Sequence, residues 1–235
     1  YEHIRTGIEF VLIEQNTFIM GSPVTEKENF NNETQHQATL AHYLTTEYNE
    51  IQHQVTLSSY LIAKYPITQL QWKKVMGSNP AHFYDEYRPV EQVSWDDCQE
   101  FCKKTGLQLP TEAQWECSCR AGSTTAYCFG NEESLLEYAW YEGNSGAETH
   151  PVGQKKPNAF GLYDMHGNVW EWCQDWYGDY PIEGVVNPTG LDSGKGHVFR
   201  GGSWGDYSWA CRSAYRDHSP FSKSSILGFR VTYSA

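Results

Sequence analysis

The chain has 235 residues with 29 acidic and 17 basic side chains, a formal net charge of −12. That balance excludes nucleic acid and anionic membrane surfaces as partners, because phosphate binding draws on Lys and Arg and no basic block occurs. At roughly 150 residues per domain the length allows one or two domains with a self-sufficient core; no run approaches the roughly 18 apolar residues of a membrane span, and no signal segment follows Tyr1, so a soluble, trimmed mature chain without membrane insertion is expected.

Glu9–Met20 mixes β-branched and aromatic residues and ends in Gly21-Ser22-Pro23, which predicts one or two strands closed by a turn. Residues 24–50 are polar and hold most of a duplication: Glu33–Leu44 repeats as Glu50–Leu61 with eight of twelve positions identical. One duplication is too few for a solenoid. The second copy, with Val55, Leu57 and Tyr60, is read as a strand of the fold and the first as an inserted duplicate. Three helices follow. Thr68 caps one running through Lys74 to Gly77, with Leu70 and Val75 among its apolar positions. Ser94 and Asp97 form a capping box for a second, whose Trp95, Cys98, Phe101 and Cys102 share a face and which stops at Gly106. Thr111 and Gln114 cap a third, reaching about Arg120 and stopping at Gly122. Beyond it no helical period persists, and Gly, aromatics and short strands fill the remainder. The expected fold class is α+β, one domain over 1–235 with little regular secondary structure.

Nine Trp, 16 Tyr and ten Phe beside 20 Gly suit irregular backbone with rings filling the core. The seven cysteines lack paired metal-site spacing: Cys98 and Cys102 lie one helical turn apart, and Cys117-Ser118-Cys119 stands alone. Their expected role is that of buried free thiols packing as small apolar residues. The nine histidines show no HExxH spacing, and Gly201-Gly202 has no phosphate-loop context. A backbone-bonding role is expected for His166.

Eight ordered blocks carry a family resemblance. They include Phe18–Ser22, Lys64–Thr68, Arg88–Glu91 with Val93–Trp95, Leu109–Glu116, Asn158–Trp172, Arg200–Trp204, Arg212–Arg216 and Leu227–Arg230. Together they resemble the formylglycine-generating-enzyme (sulfatase-modifying factor) family over nearly the whole chain. The resemblance implies a C-type-lectin-like fold. The family's enzymes oxidise a substrate cysteine with a copper-binding pair of cysteines five apart, placed between the Gly-Gly-Ser-aromatic and Arg-x-Ala-x-Arg type blocks. Here that interval, Gly205–Cys211, offers Cys211 alone, so neither catalysis nor copper is expected. The resemblance also implies a structural calcium ion held by the side chains of Asp164 and Glu171 and the carbonyls of Gly167 and Val169, a hard oxygen set. The family's second calcium site is not expected, because Glu142–His150 lacks the acidic loop.

Between the C-terminal blocks the residues become miscellaneous. Gly205, Asp206, Tyr207, Ser208, Asp217, His218, Ser219, Phe221, Ser222, Ser224, Ser225 and Ile226 all have codons reachable from an asparagine codon by changing its first two bases; Trp209 and Lys223 do not. This scatter in a fixed frame resembles the variable region of retroelement-diversified proteins, of which the treponemal variable protein shares the family's fold. It implies a non-catalytic, monomeric display protein of the cell surface or extracellular space, binding an unknown protein or other surface ligand. Tyr207, Trp209, Tyr215, His218 and Phe221 would be its anchors. Trp95, Trp115, Trp170, Trp172 and Trp204 are assigned to the scaffold. The alternatives are the formylglycine-generating oxidase and a non-diversified binding or regulatory relative. Glu-Pro-Asn and Gln-Pro-Asp sugar motifs are absent.

Overall fold

The computed structural model describes residues 1–23, 26, 52–220 and 223–233. The first copy of the duplication, Glu50 and Ile51 of the second, and the predicted site residues Phe221 and Ser222 lie outside them.

The N-terminal apolar stretch forms two strands, β2 (Ile8–Ile13) and β3 (Asn16–Met20), preceded by the short β1 (Glu2–His3). The second repeat copy also makes two, β4 (His53–Leu57) and β5 (Tyr60–Ala63). The three predicted helices are present as α1 (Gln69–Met76), α2 (Trp95–Thr105) and α3 (Glu112–Arg120), each opened by a reciprocal capping box, Thr68 with Gln71, Ser94 with Asp97, Thr111 with Gln114. Two details differ. The buried residues of α1 are Gln69 and Trp72, and Leu70 faces solvent, because Trp72 stacks on Phe101 of α2 and sets the helix's rotation. Helix α3 runs to Arg120 as expected, but its left-handed cap is Ala121, one residue before Gly122, with its N–H reaching the Cys117 carbonyl. The second half, expected to lack helix, has short turns of it: a 3₁₀ turn Glu132–Ser134 running into α4 (Leu135–Tyr138), and a 3₁₀ turn Ser208–Cys211.

The late strands are β6 (Trp170–Trp176), β7 (Val185–Val186), β8 (His197–Arg200), β9 (Arg216–Ser219), β10 (Leu227–Gly228) and β11 (Thr232–Tyr233). Three sheets result, ordered β1-β2-β5-β11, β10-β6-β8-β9 and β3-β4-β7. The second organises the molecule. Side chains alternate across a strand, so Trp170 and Trp172 of β6 enter a core with Phe101, Phe229 and Trp72 under α1 and α2. Cys173 points the other way, into a core with Trp115, Val55, Leu57 and Met165 under α3 and the β3-β4 pair. A sheet covered on both faces admits few charges, and most of those present are paired.

Those pairs sit on the α3 face. Arg200 opposes both Glu171 and Arg216 in register across β6, β8 and β9. Arg200 bonds Glu116 and lies 3.6 Å from Glu112. Arg216 grips both oxygens of Glu112 at 2.7 Å, and Arg120 pairs with Glu116 at 2.8 Å. Arg230 grips both oxygens of Glu171, at 2.6 and 2.8 Å, and the Trp115 indole N–H donates to the same carboxylate at 2.6 Å. Burial pushes the Glu116 carboxyl up, but Arg120 and Arg200 outweigh it and hold the group below its usual range. Glu116→Gln removes one partner and leaves guanidinium charge buried, so urea unfolding should show a loss of about 3–5 kcal/mol. Ser94→Ala, which deletes one cap, should cost only about 1 kcal/mol.

Candidate ligand-binding surface

The predicted binding residues come from three stretches joined to the central sheet. Residues 205–209 leave β8, 217–219 lie in β9, and 224–226 precede β10. Trp170 and Phe199, one strand apart on the same sheet face, form the floor on which the first two stretches meet, with ring centroids 5.1 Å apart. The Trp170 indole N–H donates to the Asp206 carboxylate at 2.8 Å, and the Ser203 hydroxyl bonds the same oxygen. Tyr215 packs on Trp170 and on Trp209, at 5.9 and 5.0 Å. Asp217 stands opposite Phe199 in register. On the third side, the Trp204 indole N–H donates to the Ser225 carbonyl, the Trp170 backbone N–H to the Ile226 carbonyl, and the Gln92 N–H to the Ser224 carbonyl. The position a Cβ would take on Gly205 lies 3.8 Å from Ile226.

The surface thus divides into frame and tips. Tyr207 is 61% exposed at the head of the 3₁₀ turn, and Asp217 is exposed, so both side chains project from the frame. Asp206, Trp209 and Tyr215 are half-buried, and Trp209 and Tyr215 pack against the core. They belong to the frame that shapes this surface, and are not freely projecting side chains. Burial raises the Asp206 carboxyl, opposed by its bonds from Ser203 and Trp170. His218 differs. Strand alternation turns it to the opposite face from Asp217, where its ring stacks on Tyr177 at 4.1 Å. Ser219 shares the Asp217 face but pairs with His197, at the far end of the sheet.

The scaffold tryptophans sit as expected: Trp115, Trp170 and Trp172 are buried, while Trp95 and Trp204 are half-buried. His166 makes the anticipated backbone bonds, its Nε2 accepting from the Cys128 N–H at 3.3 Å and its Nδ1–H donating to the Cys211 carbonyl at 2.7 Å. All seven cysteines are free thiols. Burial pushes the Cys211 thiol well above its ordinary value and the Cys119 thiol up to about 12.

The residues proposed for calcium, Asp164, Gly167, Val169 and Glu171, lie on the turn leading into β6 and at its start. Gly167 has φ 85°, and a Cβ there would lie 2.2 Å from the Trp140 carbonyl oxygen, so only glycine fits. Asp164 is also left-handed, at φ 54°, and buried; it accepts from the Gly153 N–H at 2.7 Å and the Asn168 amide at 3.3 Å. Burial drives its carboxyl up to about 6, so this carboxylate is short of positive charge. Glu171 differs, since Arg230 and Trp115 already use both of its oxygens. By its chemistry a set of carboxylate and carbonyl oxygens suits a hard cation, with Asp164 the carboxylate not engaged by an arginine and Glu171 able to contribute only by sharing an oxygen with Arg230. Among the described residues, no group of three or more His, Cys, Asp or Glu side chains is placed to hold a metal.

Residues 3–235 match the family described as the sulfatase-modifying factor enzyme 1-like domain, and the chain belongs to that family. Its curated relatives include the formylglycine-generating enzyme of Mus musculus, 35% identical over 183 residues, covering 70% of this chain and 49% of that protein. The chain spans about half the length of such relatives. Among solved structures, Treponema denticola variable protein 1 superposes with a TM-score of 0.80 at 30% identity, covering 96% of this chain and 94% of that one. PvdO from Pseudomonas aeruginosa superposes with a TM-score of 0.79 at 27% identity, covering 99% and 96%. The fold is the C-type-lectin-like fold of this family. The family therefore joins named enzymes to a variable protein on one scaffold.

The division into frame and tips has a measurable consequence. Tyr207→Ala and Asp217→Ala should each change unfolding free energy by less than about 0.5 kcal/mol, as surface substitutions do. Trp209→Ala and Tyr215→Ala, which remove half-buried rings from the core's edge, should each cost about 2 kcal/mol in the same urea titration.

Proposed function

We propose that this chain is a single-domain, non-catalytic ligand-binding protein of the cell surface or extracellular space, with a binding face diversified by a retroelement. The observation that carries the reading is the meeting of the codon-restricted stretches 205–208, 217 and 224–226 around one rigid aromatic floor, Trp170 and Phe199. Exposed tips on a fixed frame can change side chain without unfolding the protein, the arrangement that paratopes use. The similarity to Treponema denticola variable protein 1 supports the same reading. Tyr207 and the half-buried Trp209 are the aromatic contacts offered to the partner, with Asp217 and the serines beside them.

The absence of catalysis is part of the proposal. Copper binding and thiol oxidation both need thiolates. In the interval where the family's enzymes keep two cysteines, this chain has only Cys211, whose thiol is buried and held protonated. The similarity to the formylglycine-generating enzymes keeps an oxidase as the second reading. Incubation with copper and a cysteine-containing peptide should consume no oxygen; consumption that Cys211→Ser abolishes would establish the oxidase instead. The coding DNA tests the first reading. A nearby near-copy of the segment for residues 205–226, differing only at adenines and accompanied by a reverse transcriptase gene, is the expected finding. Its absence would leave a non-diversified binding relative.

Calcium belongs to the proposal as a structural ion at Asp164, Gly167 and Val169, with Glu171 sharing one oxygen. The ion would supply charge beside Asp164 and pin the turn preceding β6. Terbium should bind and luminesce on excitation of the neighbouring tryptophans, and excess calcium should quench that signal. Adding calcium after chelator treatment should raise the melting temperature, since a ligand at about 100 times its Kd stabilises the folded state by about 2.7 kcal/mol. An unchanged melting curve and no terbium signal would remove the site.

A further inference from the structure

On the opposite side of the central sheet from the variable face, a cleft of about 460 Å³ opens beneath residues 185–191. One wall is apolar, formed by Met20, Val185, Pro188 and Leu191 with the Trp176 ring. Glu112, Asp175 and Arg216 close its inner end, with His53, Asp179 and Tyr180 beside them. The charges there are unequal. Arg216 is already engaged by both oxygens of Glu112 at 2.7 Å and donates to the Gly178 carbonyl at 2.7 Å. The Tyr180 hydroxyl also donates to Glu112, at 3.0 Å. Asp175 is left differently. It is 95% buried, yet among the described residues it forms no ion pair; its carboxylate accepts the Glu112 backbone N–H at 2.7 Å and its own backbone N–H, and the Arg216 charge nearby only partly offsets its burial. Its other oxygen lies under Gly190. A Cβ at that glycine, which has φ 74°, would sit 3.0 Å from Asp175 Oδ1 and 2.8 Å from its Cβ, so any side chain there would press on the carboxylate.

A buried carboxylate without a cation of its own, at the end of an apolar cleft, has the chemistry of a counter-ion waiting for its partner. We propose that this cleft binds a primary ammonium group carried on a short apolar chain, with Asp175 pairing the ammonium and Val185, Leu191 and Trp176 covering the chain. The source is either a free amphipathic amine or the side chain of a lysine on a protein. This site is separate from the variable face and does not depend on how that face is used.

The proton balance supports the assignment. Burial, and then the Glu112 charge, push the Asp175 carboxyl up to about 7, so near neutrality the empty cleft holds a proton on part of the population. An ammonium favours the ionised carboxylate, so binding releases that proton and tightens as pH rises. Of the other groups facing Asp175, Glu112 and Arg216 stay paired with each other, Asp179 is exposed, and the Tyr180 hydroxyl is held neutral by burial. His53 also lines the cleft, and Asp175→Asn isolates the contribution of Asp175 from that of its neighbours.

Isothermal titration calorimetry with n-hexylammonium tests the site, with hexan-1-ol as the uncharged control and Nα-acetyl-lysine methylamide as the lysine side chain. Hexylammonium should bind at one site, about tenfold more tightly at pH 8 than at pH 6, with proton release visible as a dependence on buffer ionisation enthalpy. Hexan-1-ol should bind at least tenfold more weakly. Asp175→Asn, whose amide oxygen still accepts the Glu112 N–H, should weaken hexylammonium at least tenfold and remove the proton release. Leu191→Ala, on the exposed wall, should weaken it several-fold. Binding of the lysine analogue as tightly as hexylammonium identifies a lysine side chain as the source, and binding of hexylammonium alone identifies a free amine. Equal affinity of Asp175→Asn and the native chain, equal binding of hexan-1-ol, or no saturable binding at millimolar ligand overturns the proposal.

Discussion

The fold depends on a cluster of guanidinium and carboxylate groups buried where α3 crosses the central sheet. Glu112 and Glu116 come from the helix, Arg200 from β8 and Arg216 from β9, so four bonds between charged groups fix one helix to two strands. Arg230, just before the last strand, ties itself to Glu171 on β6. Groups of this kind tolerate little displacement, since a guanidinium moved away from its carboxylate inside a protein keeps its desolvation cost and loses the compensation. Their contribution is geometric. They specify how β6, β8 and β9 lie under α3, whatever the aromatic face on the other side carries.

That separation explains how one scaffold can serve both the family's enzymes and a variable protein. The two faces of the sheet are joined by the strands but built from different chemistry: paired charges with Trp115 on one, and the rings of Trp170, Trp172, Phe199 and Phe229 on the other. Loops attached to the aromatic face can therefore change without disturbing the ion cluster. The bonds that do reach into those loops go mostly through backbone carbonyls, as with Trp204 to Ser225 and Trp170 to Ile226. Every residue type supplies a carbonyl.

Local features were the most legible in the sequence. Both expected capping boxes are present, and the expected Thr68 cap proves to be a third, with Gln71, because such a box needs only two side chains three residues apart and the first turn between them. The tryptophans of the ordered blocks are scaffold, as their setting among Gly and fixed charges implied. Less legible was which variable-type positions are tips. Codon restriction carries no information about burial, so Asp206, bonded to the Trp170 indole, looked the same as the exposed Asp217. The face taken by His218 depends on strand register, which the sequence left open. The Asp175 cleft was missed, although a signal existed: Glu171, Cys173 and Asp175 alternate along one strand, so a reading at period two puts all three on the α3 side.

The last strands have a consequence for how variants are sorted. Residues 205–226 are followed by β10, which pairs with β6, and by β11, which pairs with β5, with Arg230 between them. Two of the three sheets therefore gain a strand only from sequence translated after the variable stretch. A stop codon or frameshift introduced in that stretch deletes the strand from both sheets and leaves Glu171 buried without its arginine. An intact reading frame through this stretch is therefore a condition for closing two sheets and for pairing a buried carboxylate, whatever side chains the stretch itself carries.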